Sequence, residues 1–276
     1  MQKLSGKEYW DLLYKNISSR EKADGVSFLG KTRAWIKHIT RDYSNYIFLD
    51  VLYPKYLPKK DDFKIMEIGS APGKYLIGFH NRYGYEPYGV EYSEGGCDIN
   101  KTNFKKRGLN PDNVICADFF DKGFQSEHKG KYDVVFSRGF IEHFDNPSEI
   151  VDNHLNLLND KGYLIVQIPN LRGINYYLLK FLNISSLETH NFSIMDVDAY
   201  RKAFENKGLE FLYCDYVGTF SWGLMNTNKK WKYILHRILL LTQRPFDFLW
   251  RLIFRGHHLK NRYSSPYLLF IGKKKS

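Results

Sequence analysis

Apolar positions along this chain follow two rhythms. Short runs rich in Val, Ile, Leu and aromatic residues stop at an acid, a serine or an Asn, and the segments between them repeat their apolar positions every three to four residues. The runs lie at Lys64-Ile65-Met66, Tyr88–Tyr92, Asn113–Phe120, Tyr132–Ser137, Gly162–Asn170, Leu209–Val217 and Ser265–Lys273, and read as strands. Helical spacing marks Lys74–Arg82, Pro147–Leu158 and Asp196–Lys207. Strands that alternate with helices predict an α/β fold with a mostly parallel sheet, because each parallel pair needs a crossover.

Two segments lie outside this alternation. Residues 1–60 are aromatic and predict a helical cap, with Glu8–Asn16 and Lys31–Arg41 as its clearest helices. Residues 218–264 separate the sixth run from the seventh, and their apolar positions form two stripes. Trp231, Ile234, Leu235, Ile238, Leu239 and Leu241 make the first. Pro245 is expected to interrupt it, and Phe248, Leu249, Leu252 and Ile253 make the second before Gly256 stops the helix. The chain therefore divides into a cap (1–60), a core (61–217), an insertion (218–264) and a last strand with its basic tail (265–276).

Charge changes the reading of the insertion. The 276-residue chain carries a formal net charge of +11, and nine Lys and Arg between residues 229 and 262 face the single acid Asp247, a net of +8 in that stretch. Basic polar faces opposite Trp, Phe and Leu characterise helices that lie on an anionic membrane surface. A helical lid packed on the protein's own core, with its basic side in water, fits the same pattern. Met1–Asp11 is polar and no apolar run approaches the roughly 20 residues of a membrane span, so a cytoplasmic chain, peripheral at most to the membrane, is expected. Cys97, Cys116 and Cys214 are too few and too scattered for a disulfide framework or a zinc site.

The chemistry concentrates at Lys64–Lys74, K-I-M-E-I-G-S-A-P-G-K, where a buried strand meets a turn bracketed by Gly69 and Gly73 and then a helix. A dinucleotide fingerprint needs a glycine where Ala71 stands, and a phosphate-binding Walker loop needs Lys74 elsewhere and a following Ser or Thr. The pattern E-x-G-x-x-x-G, followed in order by Glu91 at the end of the second strand and Asp118 at the end of the third, resembles the class I S-adenosylmethionine (SAM) methyltransferases. Taken singly, Glu91 reads as a solvated strand end and Asp118 as the start of a turn. The resemblance covers Lys64–Val217. It implies a seven-stranded Rossmann-like sheet with an antiparallel last strand, and a cap that covers the cofactor or merely an apolar sheet edge.

The resemblance also assigns residues. SAM would be held by Glu67, Gly69, Ser70 and Gly73 in the turn, by Glu91 and Tyr92 at the ribose, by Asp118 and Phe119 at the adenine, and by Ser137. Acceptor contacts would come from Arg138, Glu142, Asn170, Arg172 and Asn191. Glu142-His143 resembles the Glu-His signature of small-molecule and lipid O-methyltransferases, and His190 lies where the family places its acceptor lid. Either histidine can serve as general base, His190 ahead of His143, which reads more readily as a hydrogen-bonded structural histidine. The ubiquinone-type enzymes show a related E-x-x-E-H thought to hold a divalent metal. Here Gly139 stands at the position of its first Glu with the cationic Arg138 beside it, so no metal is expected.

Ser137-Arg138-Gly139-Phe140 stands where methyltransferases of exocyclic base nitrogens carry Asn/Asp-Pro-Pro-Tyr/Phe, which argues against that acceptor. The Ile168-Pro169-Asn170 strand end is similar to members that methylate quinones and glycans. The combined reading is O-methylation of a small-molecule, saccharide or lipid-linked acceptor at the membrane face. An RNA methyltransferase is the rival, though the basic residues are interleaved with Leu and Ile rather than with stacking aromatics. A SAM-binding scaffold without turnover is the other alternative.

Overall fold

The computed structural model describes residue 6 and residues 42–225, 227 and 230–275, so the expected helices Glu8–Asn16 and Lys31–Arg41 lie outside the described residues. Seven strands form one sheet: β1 Lys64–Ile68, β2 Glu86–Glu91, β3 Val114–Cys116, β4 Tyr132–Arg138, β5 Leu158–Pro169, β6 Leu209–Val217 and β7 Tyr267–Lys274. Their order is β3-β2-β1-β4-β5-β7-β6. β7 runs antiparallel to both β5 and β6, and the other pairings are parallel. The order reverses between β1 and β4, which opens a crevice at their carboxyl ends.

Strands covered on both faces are apolar at consecutive positions. In β4, Val134 and Phe136 join Ile65, Ile165, Leu269 and Ile271 in the core on one face. Val135 joins Met66, Leu164, Val166 and Phe270 on the other. Phe204 lies flat on Phe270 with ring centroids 3.7 Å apart, so the second core reaches the antiparallel edge.

Helix α1 is continuous from α-helical Tyr43–Tyr46 through π-helical Ile47–Leu52 to α-helical Tyr53–Tyr56. It covers a sheet face: Phe48 meets Tyr267 edge-on at 5.6 Å, Tyr53 stacks on Phe79 at 5.3 Å, and Arg82 pairs with Asp50 at 2.7 Å. After it come α2 Lys74–Tyr83, α3 Glu94–Lys105, α4 Lys122–Glu127, α5 Pro147–Leu157, α6 Ile174–Leu182, α7 Ser185–Glu188, α8 Val197–Lys202 and α9 Lys230–Phe254.

The structure corrects several expectations. β3 stops at Cys116 because the Asp118 carboxylate accepts the Phe120 amide (3.0 Å) and bends the chain into a turn. β5 starts at Leu158, not Gly162, and its pairing with β4 shifts register between Tyr132 and Val134. The helix expected to reach Lys207 ends at Lys202. Pro245 lies inside α9 without ending it, so the two expected stripes belong to one 25-residue helix. Cys97 and Cys116 form a disulfide between the first turns of α3 and the end of β3, with Cα atoms 5.9 Å apart, a pairing that their 19-residue separation conceals.

Candidate active site

The β1–α2 turn builds one wall of the crevice. The amides of Gly69 and Ser70 both donate to the Val90 carbonyl (3.0 and 3.2 Å), which fastens the turn to β2, and Gly69 takes a φ of 68° that a side chain would resist. At Gly73 the close neighbour is α3. A Cβ there would lie 2.2 Å from Asn100 Oδ1 and 3.1 Å from Phe104. Asn100 also donates to Ser70 Oγ (2.7 Å), so turn and helix are one unit.

Glu91 lies at the floor, 4% exposed, with one carboxylate oxygen accepting the Ala71 amide (3.3 Å) and the other the Ser93 amide (2.9 Å). A carboxylate has about four acceptor positions, so backbone bonds of this kind orient it toward a diol. Ser93 caps α3 by accepting the Gly96 amide (3.2 Å), and Gly96 has no side chain where a Cβ would come within 2.9 Å of Glu91 Cγ and 3.1 Å of Ala71 Cβ. Tyr92 follows, half-buried. Asp118 is exposed at the far end of the crevice. Beside it Phe119 turns inward, 4% exposed, against Phe124, Phe140 and His154. Phe120 is the half-buried ring next to Asp118 and stacks with Phe140 at 6.3 Å.

Whether these residues fit SAM can be judged from the buried groups they leave unsatisfied. Glu67 is 4% exposed, its Oε2 has no hydrogen-bond partner, and burial pushes its pKa well up while the Arg138 charge pulls it back. Ser137 Oγ is likewise buried and unpartnered. Unpaired buried polar atoms are costly, and an amino acid moiety with a cationic nitrogen offers what both lack. The side-chain-free turn at Gly69, the Glu91 carboxylate that Gly96 leaves room for and these two orphans fit the cofactor.

A second cluster stands beyond β4. Glu142, His143 and His190 bring one ligand atom each to within 4.8 Å of one another. Glu142 is fully buried with neither carboxylate oxygen hydrogen-bonded, its Oε1 3.9 Å from His143 Nε2, and burial pushes its pKa up to about 8. His143 is 6% exposed, and its Nδ1 donates to the Thr189 carbonyl (2.7 Å). Burial first and the neighbouring His190 second pull its pKa down to about 3, so the ring is neutral throughout the physiological range. His190 is half-buried, its Nδ1 lies 3.1 Å from Thr189 Oγ1, and its ring centre is 4.5 Å from that of His143. Asn191 holds this lid down, its amide donating to the Glu142 carbonyl (2.7 Å) and its side chain to that of Phe144 (3.0 Å).

Arg138 does not face this cluster. Its guanidinium lies over Tyr75 (4.5 Å) and Tyr267 (5.1 Å) and donates to Asn45 of α1 (3.3 Å). The repulsion expected between Arg138 and a metal therefore has no geometric basis, and Glu142, His143 and His190 have the donor set for a divalent cation. Asn170 is buried and donates to the carbonyls of Arg262 (3.2 Å) and Ser265 (2.8 Å), which ties β5 to the approach to β7 and occupies the amide expected to touch an acceptor. Arg172 lines an open cavity of about 650 Å³ together with Gly173, Ile174, Tyr176, Tyr177, Phe192 and Tyr263.

Sequence reasoning missed Ser93, Gly96, Asn100, Phe120 and Phe140. A serine followed three residues later by Gly96, straight after an acidic strand end, is a readable helix start. Phe140 and Asn100 carry no such signal.

Residues 35–213 match the methyltransferase-domain family. The chain belongs to that family and is a SAM-dependent class I methyltransferase. No curated protein matches it. Among solved structures it is similar to geranyl diphosphate C-methyltransferase from Streptomyces coelicolor A3(2) in complex with Mg2+, geranyl diphosphate and S-adenosyl-L-homocysteine, at a TM-score of 0.54 and 15% identity over 83% of this chain and 79% of that one. It is similar to a complex between the Haloferax volcanii Trm112 methyltransferase activator and a candidate methyltransferase (TM-score 0.52, 14% identity, 91% and 98% covered). The [4+2]-cyclase SpnF is a third (0.52, 13%, 83% and 80%). At these identities the likeness concerns the fold alone.

Proposed function

We propose that the protein is an O-methyltransferase acting on a hydroxyl of a saccharide or lipid-linked acceptor at the cytoplasmic membrane face, with His190 as general base. The observation that carries this reading is the imidazole pair at the acceptor side. A ring held neutral by burial, His143, stands behind a half-exposed ring, His190, and adjacent imidazoles do not both take up protons readily. When bound, SAM supplies a methyl group activated on a positively charged sulfur. The chain's own task is to seat the acceptor and accept the hydroxyl proton, which we assign to His190 Nε2. Thr189 orients both rings through its carbonyl and hydroxyl oxygens. Glu67, Ser70, Glu91 and Asp118 would hold the donor, and Arg172 the acceptor.

The test is S-adenosylhomocysteine release on presentation of saccharide and lipid-linked saccharide hydroxyls. His190→Ala should lower kcat by about 10²- to 10⁴-fold, the usual contribution of a positioned base, and leave S-adenosylhomocysteine affinity within about twofold. Full turnover in His190→Ala would refute the assignment.

A further inference from the structure

The insertion leaves the sheet on the side of the crevice. Val217, the last residue of β6, pairs with Tyr267, the first of β7, and Tyr267 also pairs with Pro169 at the carboxyl end of β5. Helix α9 is docked there by its polar side. His236 Nε2 lies 2.8 Å from the Trp222 carbonyl, Gln243 accepts the Trp222 amide (2.6 Å), and Asp247, the helix's only acid, is 6% exposed. The opposite side presents Trp231, Ile234, Ile238, Leu241 and Leu252, each 53–62% exposed. A helix normally buries its apolar stripe, and this one shows it.

Helix α6 extends the same stripe. Ile174, Tyr177 and Phe181 of α6 and Ile184 just past its end, spaced by three and four residues, are 48–71% exposed. Phe181 meets Trp231 edge-on at 6.2 Å, and Lys232 joins the two helices by donating to the Phe181 carbonyl with its ammonium 5.0 Å from that ring. Ile174 and Tyr177 are also walls of the 650 Å³ cavity, whose further wall Phe192 is two residues beyond His190. Exposed cations border the stripe at Lys180, Arg237, Arg244 and Arg255, and neither helix has an exposed acid.

We propose that α6 and α9 together seat the protein on an anionic bilayer, and that the cavity opens at this contact so that the acceptor is drawn from the lipid phase. This rests on the acceptor reading above and narrows it to a lipid-linked hydroxyl. An apolar row in the acyl boundary beside cations at the headgroups is the arrangement of an interfacial helix. A second copy of the chain is a poor occupant, because two such faces would bring Arg237 and Arg244 against like charges with no acid between them.

The test is sedimentation of the full chain with phosphatidylglycerol-rich and pure phosphatidylcholine vesicles, without SAM or acceptor. Expected are binding to the anionic vesicles alone, a loss of roughly fivefold or more as salt rises from about 0.1 to about 0.5 M, and quenching of Trp231 by brominated lipid that disappears in Trp231→Phe. Ile238→Glu, Tyr177→Glu and Arg237→Glu/Arg244→Glu should each reduce binding about tenfold or more while S-adenosylhomocysteine binding stays within about twofold. Absence of binding to anionic vesicles at low salt, or a dimer or protein complex that Ile238→Glu dissolves, would overturn the proposal. If vesicles bind and S-adenosylhomocysteine does not, the cofactor reading fails by itself.

Discussion

A methyl group added at Gly96 would point straight at the residue proposed to hold the ribose. The built Cβ meets Glu91 Cγ at 2.9 Å, Glu91 Cδ at 3.0 Å and Ala71 Cβ at 3.1 Å, all closer than ordinary van der Waals contact. Gly96 has ordinary helical geometry in α3, so Gly96→Ala brings no backbone strain and gains about 1 kcal/mol of helix propensity. Overpacking of this kind costs about 1–3 kcal/mol, so global stability should change by no more than about 2 kcal/mol. Cofactor affinity should suffer far more. Displacing the Glu91 carboxylate sacrifices hydrogen bonds to a charged group, about 1.5–3 kcal/mol, which is roughly a 10- to 150-fold weaker Kd. Isothermal titration with S-adenosylhomocysteine, paired with urea denaturation, separates the two effects. Gly96→Ala with unchanged affinity and the full propensity gain would show that Glu91 does not face the ligand and that the cradle is misassigned.

Other outcomes follow from buried groups. Glu142 has a folded pKa of about 8 against an ordinary 4.5, so its contribution to stability is fully present below about 4.5 and is lost as pH rises toward 8. Glu142→Gln removes that loss, and the melting temperature of the variant relative to the parent should climb between pH 5 and about pH 8. Asn170→Ala removes the side-chain bonds to the Arg262 and Ser265 carbonyls and should destabilise by about 1–3 kcal/mol in urea, with the acceptor KM unchanged. Phe204→Ala removes the ring that lies on Phe270 and should cost about 3–5 kcal/mol by the same measurement without altering cofactor affinity.

The sheet was legible because each strand is covered on both faces and its apolar run therefore stands out from the helical segments between. The carboxyl-end acids Glu67, Glu91 and Asp118 were legible too, since a charged residue breaks each apolar run. Less was readable where three-dimensional approach decides. Asn100 and Phe104 explain Gly73 only once α3 is placed beside the turn, and His190 joins Glu142 and His143 only through the fold of the lid. Periodicity in α9 showed two faces but could not tell which one docks. The residues that fix it are polar: His236 and Gln243 bond the Trp222 backbone, and Gln243 also donates to Asp42 and to Asp247. Pro245 was expected to end the helix, yet α9 continues past it with the proline ring exposed.

The pairing of Val217 with Tyr267 has a consequence for how such a chain can diversify. Since the excursion leaves and re-enters through hydrogen-bonded neighbours, each doubling of its length adds only about 0.6 kcal/mol of closure entropy, and the donor crevice on the other side of β4 is not deformed. A lineage could therefore exchange the whole appendage, as one changes the head of a tool, and acquire a new clientele while the handle that grips the methyl donor stays the same.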